Sequence, residues 1–415
     1  MIEHTDGEHT LAEPIDLSSG TGEMAFSMKN HIFVNMGNAN QVATIDPVGE
    51  KATFRGGIAV GQRPGHIYRD PEGSRIWVLN DADPITGIDT LTPACSAASA
   101  ASVSVIQDYD HVDQMEEEEK IGNVLATICV GKGDHIAAFS VPSLDMPTVP
   151  PRAFVSNSID GTISVIDNNP ASANYLKVVG TIDLCDPSRE PGGTCDADPT
   201  TLNASGPQGM FYSPVSGRIY NINEGYGTVN IVNPGVSPAA AIEQTLEIEF
   251  AGPIHITPDG RFIFVLGTDD SDADRVVGKL TIITVADNSI TQIDLPNLGL
   301  ATIECTADGS KMYIASSANG QMSNIVQVFD TLSLPTLTLI KEIAVGSTSE
   351  GRSIGLFEHS EEISHLFVTN QADGTVSVID AKTDTVIDTI HVGGSPTSLL
   401  IFPIGEHQQG GGAHH

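Results

Sequence analysis

Basic residues are scarce in this 415-residue chain, and that scarcity limits its partners. Lys and Arg together number 19 against 53 Asp and Glu, which gives a formal net charge of −34 at pH 7. A field of this sign repels a phosphate backbone and an anionic membrane surface, so the sequence predicts no nucleic-acid partner. A solvated acidic surface of this kind is typical of proteins from salty or alkaline surroundings.

Long apolar runs and aromatic side chains are also scarce. No stretch approaches the ~18 consecutive apolar residues that a membrane-spanning helix needs, so no membrane insertion is expected. Aromatic residues make up only 5% of the chain, although apolar residues in total reach 40%. With 41 Gly and 24 Pro, this composition predicts many short strands joined by turns.

Only five cysteines are present, and no C-x-x-C-H or paired C-x-x-C motif occurs, which argues against covalently attached haem and a zinc ribbon. Cys185 and Cys195 bracket a polar loop that a disulfide would close. Cys95 lies in a long insertion and Cys129 ends a strand of the same repeat, so these two can also pair. Cys305 would then be left over. Disulfides form in oxidising compartments, so the sequence predicts a periplasmic or extracellular location.

A short strand with alternating side chains recurs seven times and often ends in Asp or Asn. Its copies are residues 42–46, 103–106, 163–167, 229–233, 280–283, 326–330 and 376–380. About ten residues before each copy lies a second strand, and a Gly-, Asn- or Asp-rich turn often joins the two as in a hairpin. Each of these second strands is led by an aromatic residue: Phe33, Trp77, Phe154, Tyr220, Phe264, Tyr313 and Phe367. Four antiparallel strands at a period of roughly 45–65 residues are typical of a propeller blade.

The repeats therefore predict an all-β fold, a seven-bladed β-propeller of four-stranded antiparallel blades over residues 22–403. Residues 1–21 are expected to form an N-terminal extension and residues 404–415 a flexible tail. Two segments are candidates for the first strand of the first blade. Residues 395–402 are favoured for this place, and residues 23–27 compete for it.

The runs FVTN at 367–370 and TVSVID at 375–380 resemble the hallmark of the YVTN (YncE-like) β-propeller family. The resemblance covers roughly residues 22–402. It implies the seven-bladed fold and does not imply one activity.

The first strands of propeller blades line a central channel, so equivalent positions on them are candidates for a site. When these strands are aligned on their small or Pro residue, three His and one Glu fall in one register. Neutral imidazoles and a carboxylate are ligands that a divalent transition metal prefers. The predicted metal ligands are His66, His135, His255 and Glu304. The alternatives are local hydrogen bonding of these side chains and an organic-ligand site.

This placement has a distant resemblance to the copper-binding propellers of nitrous oxide reductase and thiocyanate dehydrogenase. The resemblance implies copper as the cofactor, with zinc as second choice. The chain has fewer axial His and no cupredoxin segment, which argues against a full multinuclear centre. Asp134 and Cys305 are candidates to orient the ligands, and Arg352 is a candidate to bind an anionic substrate. His31 and His365 are expected to be structural.

Residues 270–274 carry Asp at alternating positions, as the start of a calcium loop would. Arg275 stands where an EF-hand needs Gly, so a solvated acidic loop is the favoured interpretation and calcium the alternative.

Three functions fit these observations. The first is a copper-dependent oxidoreductase acting on a small molecule at the channel mouth. The second is a non-catalytic propeller that binds a protein partner through insertions at 82–101, 108–122 and 185–205. The alternative is that these insertions are surface loops without a binding role. The third is a lactonase-like hydrolase, which related seven-bladed proteins imply, with His and Glu in acid–base roles. No Gly-x-Ser-x-Gly elbow is present, which disfavours a Ser-based triad.

Overall fold

The structure is a computed structural model, and the statements below concern the residues that it describes. These are residues 2–5, 8–11, 15–17, 21–28, 30–48, 51–71, 74–108, 122–133, 136–195, 202–272, 275–296, 299–316, 324–349, 352–358 and 364–401. A two-stranded hairpin, β1 (Ile2–Thr5) and β2 (Glu8–Leu11), precedes seven four-stranded antiparallel sheets. Each sheet is one blade, and its strands follow chain order.

The blades are numbered along the chain, and each uses four consecutive strands. Blades 1 and 2 are β3 (Thr21–Phe26), β4 (Ile32–Met36), β5 (Gln41–Val48), β6 (Lys51–Ala59), β7 (Pro64–Arg69), β8 (Arg75–Asn80), β9 (Ala101–Gln107) and β10 (Asn123–Val130). Blades 3 and 4 are β11 (Ala137–Ser140), β12 (Arg152–Asn157), β13 (Thr162–Asp167), β14 (Val178–Asp183), β15 (Pro207–Ser213), β16 (Arg218–Asn223), β17 (Thr228–Val232) and β18 (Ile242–Glu247).

The remaining three blades complete the set of seven. They are β19 (Ile254–Ile256), β20 (Phe262–Asp272), β21 (Arg275–Thr284), β22 (Ser289–Pro296), β23 (Leu300–Cys305), β24 (Lys311–Ser316), β25 (Ile325–Asp330), β26 (Thr338–Ala344), β27 (Ile354–Glu358), β28 (Ser364–Asn370), β29 (Thr375–Asp380) and β30 (Thr385–His391). The predicted fold class, a seven-bladed β-propeller, is confirmed. The aromatic-led segments are the second strands, and the recurring segments are the third strands.

The chain divides into two compact units. Residues 15–249 contain blades 1 to 4, and residues 1–14 together with 250–415 contain the β1–β2 hairpin and blades 5 to 7. A short helix, α1 (Pro93–Ala97), lies in the insertion between β8 and β9. None of the helices in the described ranges has the length and apolar character needed to cross a bilayer.

The first strand of blade 1 is β3, so the preference for residues 395–402 in that place was wrong. β3 and β4 form a hairpin through a short connection, and closing a short loop costs less chain entropy than recruiting a distant segment. Residues 395–401 instead run along blade 7 without forming a strand. The backbone N–H of Leu399 donates to Ser353 Oγ at 3.0 Å, and Leu399 and Ile401 pack against the cluster around Phe367.

Several aromatic residues of the second strands lie in the layers between neighbouring blades of one unit. Trp77 is fully buried and packs with Ala137 and Val155 of blade 3. Phe264 packs in the same way against Ile303 and other residues of blade 6. Burial of these rings together with the surrounding Val, Ile, Leu and Ala side chains stabilises the contact between blades.

An asparagine at the end of the second strand ties that strand to the third. In blade 7, the Nδ2 group of Asn370 donates to Thr375 Oγ1 at 3.0 Å and to Ser377 Oγ at 2.9 Å. The same bonding pattern is made by Asn80, Asn157 and Asn223. The final Asn of the FVTN run therefore uses its side-chain N–H groups to join the second and third strands in these four blades.

The Val-Gly that closes several fourth strands makes room for this asparagine in the next blade. The backbone N–H of Gly131 lies 3.4 Å from Ser164 Oγ, and a Cβ on Gly131 would lie only 2.6 Å from Asn157 Cγ. Asn157 cannot move away without losing its bonds to Thr162 and Ser164.

Replacing Gly131 with Ala is therefore expected to lower the free energy of unfolding by about 1–3 kcal/mol, through overpacking against Asn157. Urea unfolding measures the change. Gly192→Ala is the matched control, because the nearest atom to its added Cβ, in Thr194, is 4.0 Å away. Equal unfolding midpoints for the two variants would contradict this role of Gly131.

Both predicted disulfides are present. Cys95 of α1 is bonded to Cys129 of β10, with the Cα atoms 5.1 Å apart. Cys185 and Cys195 close their loop with Cα atoms 5.9 Å apart, and Cys305 is a free thiol.

Two histidines expected to be structural are buried. His31 Nδ1 lies 2.7 Å from Asp108 Oδ1, and this pair joins blade 1 to blade 2. His365 lies opposite Asp380 in the β28–β29 pair.

Candidate functional site

The four predicted metal ligands do not share one register. His255 lies opposite Phe264 and Glu304 lies opposite Tyr313, so each faces the aromatic residue of its second strand. His66 lies opposite Leu79, two residues beyond the corresponding Trp77, so its place in the shared register was wrong. A bulge between Pro64 and His66 shifts the pairing, and alignment on the proline does not reveal it. His135 and Asp134 lie outside the described residues.

His255 and Glu304 lie in layers between blades. Directly paired residues share one face of a sheet, and Phe264 packs against blade 6 whereas Tyr313 packs against blade 7. His255 is accordingly only 6% exposed. Within the described ranges, His, Cys, Asp and Glu form no group of three that would hold a metal ion. The four-ligand centre therefore stays a prediction, and the side chains of Asp270, Asp272 and Asp274 lie outside the described set.

Burial changes the protonation of Glu304 and its neighbour. Desolvation first, and the charge of Glu358 second, raise the pKa of Glu304 to about 8, although a hydrogen bond from the Cys305 backbone opposes this. Burial and the charge of Glu304 also raise the pKa of the Cys305 thiol. Cys305 is therefore protonated at neutral pH and is a poor nucleophile.

The raised pKa of Glu304 predicts how stability depends on pH in chelator-treated protein. Between the unfolded pKa of about 4.5 and the folded pKa of about 8, the folded state binds the extra proton, so stability falls as pH rises through this window. The isosteric variant Glu304→Gln cannot titrate, so its loss of stability between pH 5 and pH 8.5 is expected to be smaller than that of the wild type. Thermal unfolding at the two pH values measures this loss of stability. An equal loss in the wild type and in Glu304→Gln would contradict the raised pKa of Glu304.

Arg352, the candidate anion-binding residue, is buried and serves the fold. Its guanidinium donates to Thr369 O at 2.7 Å and to Asn370 Oδ1 at 2.8 Å, and it also contacts Gly346 O. Burial lowers its pKa to about 10. These contacts hold the loop before β27 against β28, which corrects the expectation that Arg352 binds a substrate anion.

The chemically competent pair is His66 of β7 with Glu23 of β3. His66 Nδ1 lies 2.7 Å from Glu23 Oε1, and the two side chains are 29% and 21% exposed. The second oxygen of Glu23 accepts the backbone N–H of Ile67 at 3.2 Å. Glu23 is thus fixed at both oxygens, and it orients an imidazole that small molecules can reach.

A second carboxylate, Asp81, lies beside this pair. Its backbone N–H donates to Arg63 O at 2.9 Å, which holds the residue after β8 against the residue before β7. A Cβ on Gly65 would lie 2.0 Å from Asp81 Oδ2, so only glycine leaves room for the carboxylate next to His66. Asp81 therefore lies over Gly65, and Glu23 is the carboxylate that contacts the imidazole.

Tyr68 lies beside His66 on the same face of β7. Its ring centroid lies 6.5 Å from that of His66. Burial raises the pKa of Tyr68, and the charges of Glu23 and Asp81 add to this, so the hydroxyl remains protonated. Tyr68 supports the imidazole and does not supply a nucleophile.

Sequence reasoning found His66 but missed both carboxylates. Glu23 belongs to segment 23–27, the less favoured of the two segments considered for the first strand of blade 1. The assignment of that segment to blade 1 would have placed Glu23 next to blade 2.

Comparison with known proteins supports the fold and gives one relative in sequence. No family model matches the sequence, so membership of the YVTN family stays a prediction. The 6-phosphogluconolactonase of Klebsiella pneumoniae (strain 342) is 24% identical over 305 residues, which covers 70% of this chain and 74% of that protein.

Two solved structures have the same architecture. Hydrazine synthase of Kuenenia stuttgartiensis superimposes with a TM-score of 0.55 at 17% identity, covering 92% of this chain and 100% of that chain. The periplasmic gluconolactonase PpgL of Pseudomonas aeruginosa superimposes with a TM-score of 0.54 at 15% identity, covering 86% of this chain and 93% of that chain. At such identities these likenesses define the class of protein by its fold, a seven-bladed β-propeller.

Proposed function

We propose that this protein is a lactonase-like hydrolase that opens a lactone ring at the His66–Glu23 pair. The observation that carries the proposal is the 2.7 Å contact between His66 Nδ1 and a carboxylate that is itself fixed at both oxygens. The similarity to a 6-phosphogluconolactonase in sequence and to a gluconolactonase in fold supports the choice of lactones.

Glu23 sets the imidazole tautomer that catalysis needs. A carboxylate accepts a hydrogen bond, so Nδ1 carries the proton and the lone pair lies on Nε2. In the proposed reaction Nε2 takes a proton from water while the water oxygen bonds to the lactone carbonyl carbon. When the tetrahedral intermediate collapses, the ring C–O bond breaks and the imidazolium returns its proton to the ring oxygen. The product is the open hydroxy acid, and His66 is regenerated.

Glu23 stabilises the imidazolium that forms during this step. Its Oε1 lies 2.7 Å from Nδ1 of the ring. Its negative charge favours proton uptake by His66 in the transition state.

A panel of five- and six-membered lactones tests the proposal. We expect ring opening above the spontaneous rate, followed by acid release with a pH indicator, and equal rates with and without a chelator. A purified protein that accelerates none of the lactones would contradict the proposed function.

A second candidate is a metal-binding propeller, with copper first and zinc second. A histidine that ligates a metal commonly donates its other ring N–H to a carboxylate, and His66 has this arrangement with Glu23. Elemental analysis after reconstitution, compared between the wild type and His66→Ala, tests it. Lactone hydrolysis that disappears with a chelator would move the assignment toward this candidate.

We also propose an extracytoplasmic location. Two disulfides support it, because such bonds persist in oxidising compartments, and PpgL is described as periplasmic.

A further inference from the structure

Arg63, at the edge of the proposed site, has an unfavourable backbone conformation. Its φ is +54°, in the left-handed region that non-glycine residues avoid. It also precedes Pro64, which restricts the preceding residue toward extended conformations. The equivalent residue of blade 4 is Gly206, with φ +57°, also before a proline. An arginine thus occupies a position that suits glycine, and the fold gains nothing from its Cβ there.

The equivalence of these two positions is structural. Asp81 N donates to Arg63 O at 2.9 Å, and Glu224 N donates to Gly206 O at 3.0 Å. Both strands that follow have a bulge just after the proline. Blades 2 and 4 therefore build the same loop, and only blade 2 places a cation in it.

The Arg63 guanidinium does not stabilise the fold through a contact in the part of the chain that the structure describes. It is exposed and makes no hydrogen bond or ion pair there, and Asp83 is an electrostatic neighbour. Several other arginines of this acidic chain are paired with carboxylates. These include Arg55, Arg75, Arg189, Arg218 and Arg261. Backbone strain at an exposed cation that lies three residues before His66 in the chain points to function.

We propose that Arg63 is the specificity-determining residue of the site and binds a carboxylate or phosphate group on the lactone. Arg63 holds Asp81 through its carbonyl and lies three residues before His66, so its side chain extends from the same loop. A guanidinium binds carboxylate and phosphate through paired hydrogen bonds. Glu23, Asp81 and the net charge of −34 repel anions, so an anionic substrate needs a local cation here.

This inference rests on the proposed function for its substrate, and three lactones test it. They are glucono-δ-lactone, which is neutral, its 6-phosphate, and glucaro-1,4-lactone, which carries a carboxylate. Arg63→Gln is expected to lower kcat/KM for the preferred charged lactone by about 10- to 100-fold and to leave the neutral one within about twofold. Arg63→Lys is expected to retain part of the preference. Which charged lactone responds identifies the anionic group. Equal losses on neutral and charged lactones, or no loss, would overturn the proposal.

Two further measurements separate this proposal from the proposed function. Arg63→Gly relieves the backbone strain, so its Tm is expected to rise by about 2–4 °C; a fall in Tm would show that Arg63 is structural and would overturn the proposal. Binding of inorganic phosphate and of gluconate, measured by calorimetry, does not require turnover. Binding that Arg63→Gln abolishes, in a protein that opens no lactone, would support Arg63 and contradict the hydrolase. Absence of both binding and hydrolysis in the wild type would overturn both.

Discussion

Replacing His66 with Ala is expected to lower kcat for lactone opening by about 10²- to 10⁴-fold, because the reaction then lacks the base that removes the water proton. KM is expected to change little, since His66 acts on water and contributes little to ground-state binding. Glu23→Gln keeps the size of the orienting side chain but removes its charge. Its loss is expected to approach that of His66→Ala, because the Gln amide can donate to Nδ1, which leaves the proton on Nε2 and removes the base, and because the imidazolium is less stabilised. Initial rates at saturating lactone measure both.

His391→Ala is the matched control for this experiment. His391 is exposed at the end of β30, so its removal is expected to leave kcat unchanged and the fold intact. A His66→Ala variant as active as His391→Ala would show that His66 is not the base.

Removing the Cys95–Cys129 disulfide, by changing both residues to Ala, is expected to lower the free energy of unfolding by about 4 kcal/mol. The bond closes a loop with a sequence separation of 34, and opening it returns conformational entropy to the unfolded chain. Removing the Cys185–Cys195 bond, with a separation of 10, is expected to cost less, about 3 kcal/mol. Urea unfolding of the two double variants measures the difference.

Wild-type protein unfolded with a reductant present is the control, and it should lose more stability than either double variant. Unfolding midpoints that do not respond to reductant or to either double variant would contradict a stabilising role for these bonds.

The sequence predicted what is encoded locally in each repeat. Alternating side chains define the third strands, and the aromatic residue marks the second strand. The short polar loop between Cys185 and Cys195 indicates that a disulfide joins these two residues. Each of these features depends on residues close together in the chain. The seven blades and the Cys185–Cys195 disulfide were therefore accessible without the structure, and the Cys95–Cys129 pairing followed from the place of both residues in one repeat.

The candidate site was only partly accessible, because it depends on pairing between blades. His66 contacts Glu23, which lies 43 residues away in the chain, and no sequence pattern links the two segments. Alignment on the proline misplaced His66 by two residues relative to His255, because Pro64 pairs with Asn80 whereas Pro253 lies against Leu266, and the bulge after Pro64 adds one more residue to β7. The positive φ of Arg63 is likewise invisible in sequence, since its equivalence to Gly206 follows only from the shared hydrogen bonds.

Imidazole rescue of His66→Ala tests the central claim most directly, with chelator present and the preferred lactone as substrate. Added imidazole is expected to restore part of the lost rate in a saturable way, because it can occupy the space of the missing ring and accept the water proton. Imidazole is expected to have no effect on the wild type beyond the solution rate. A His66→Ala variant that retains the full wild-type rate, with no response to imidazole, would contradict the account.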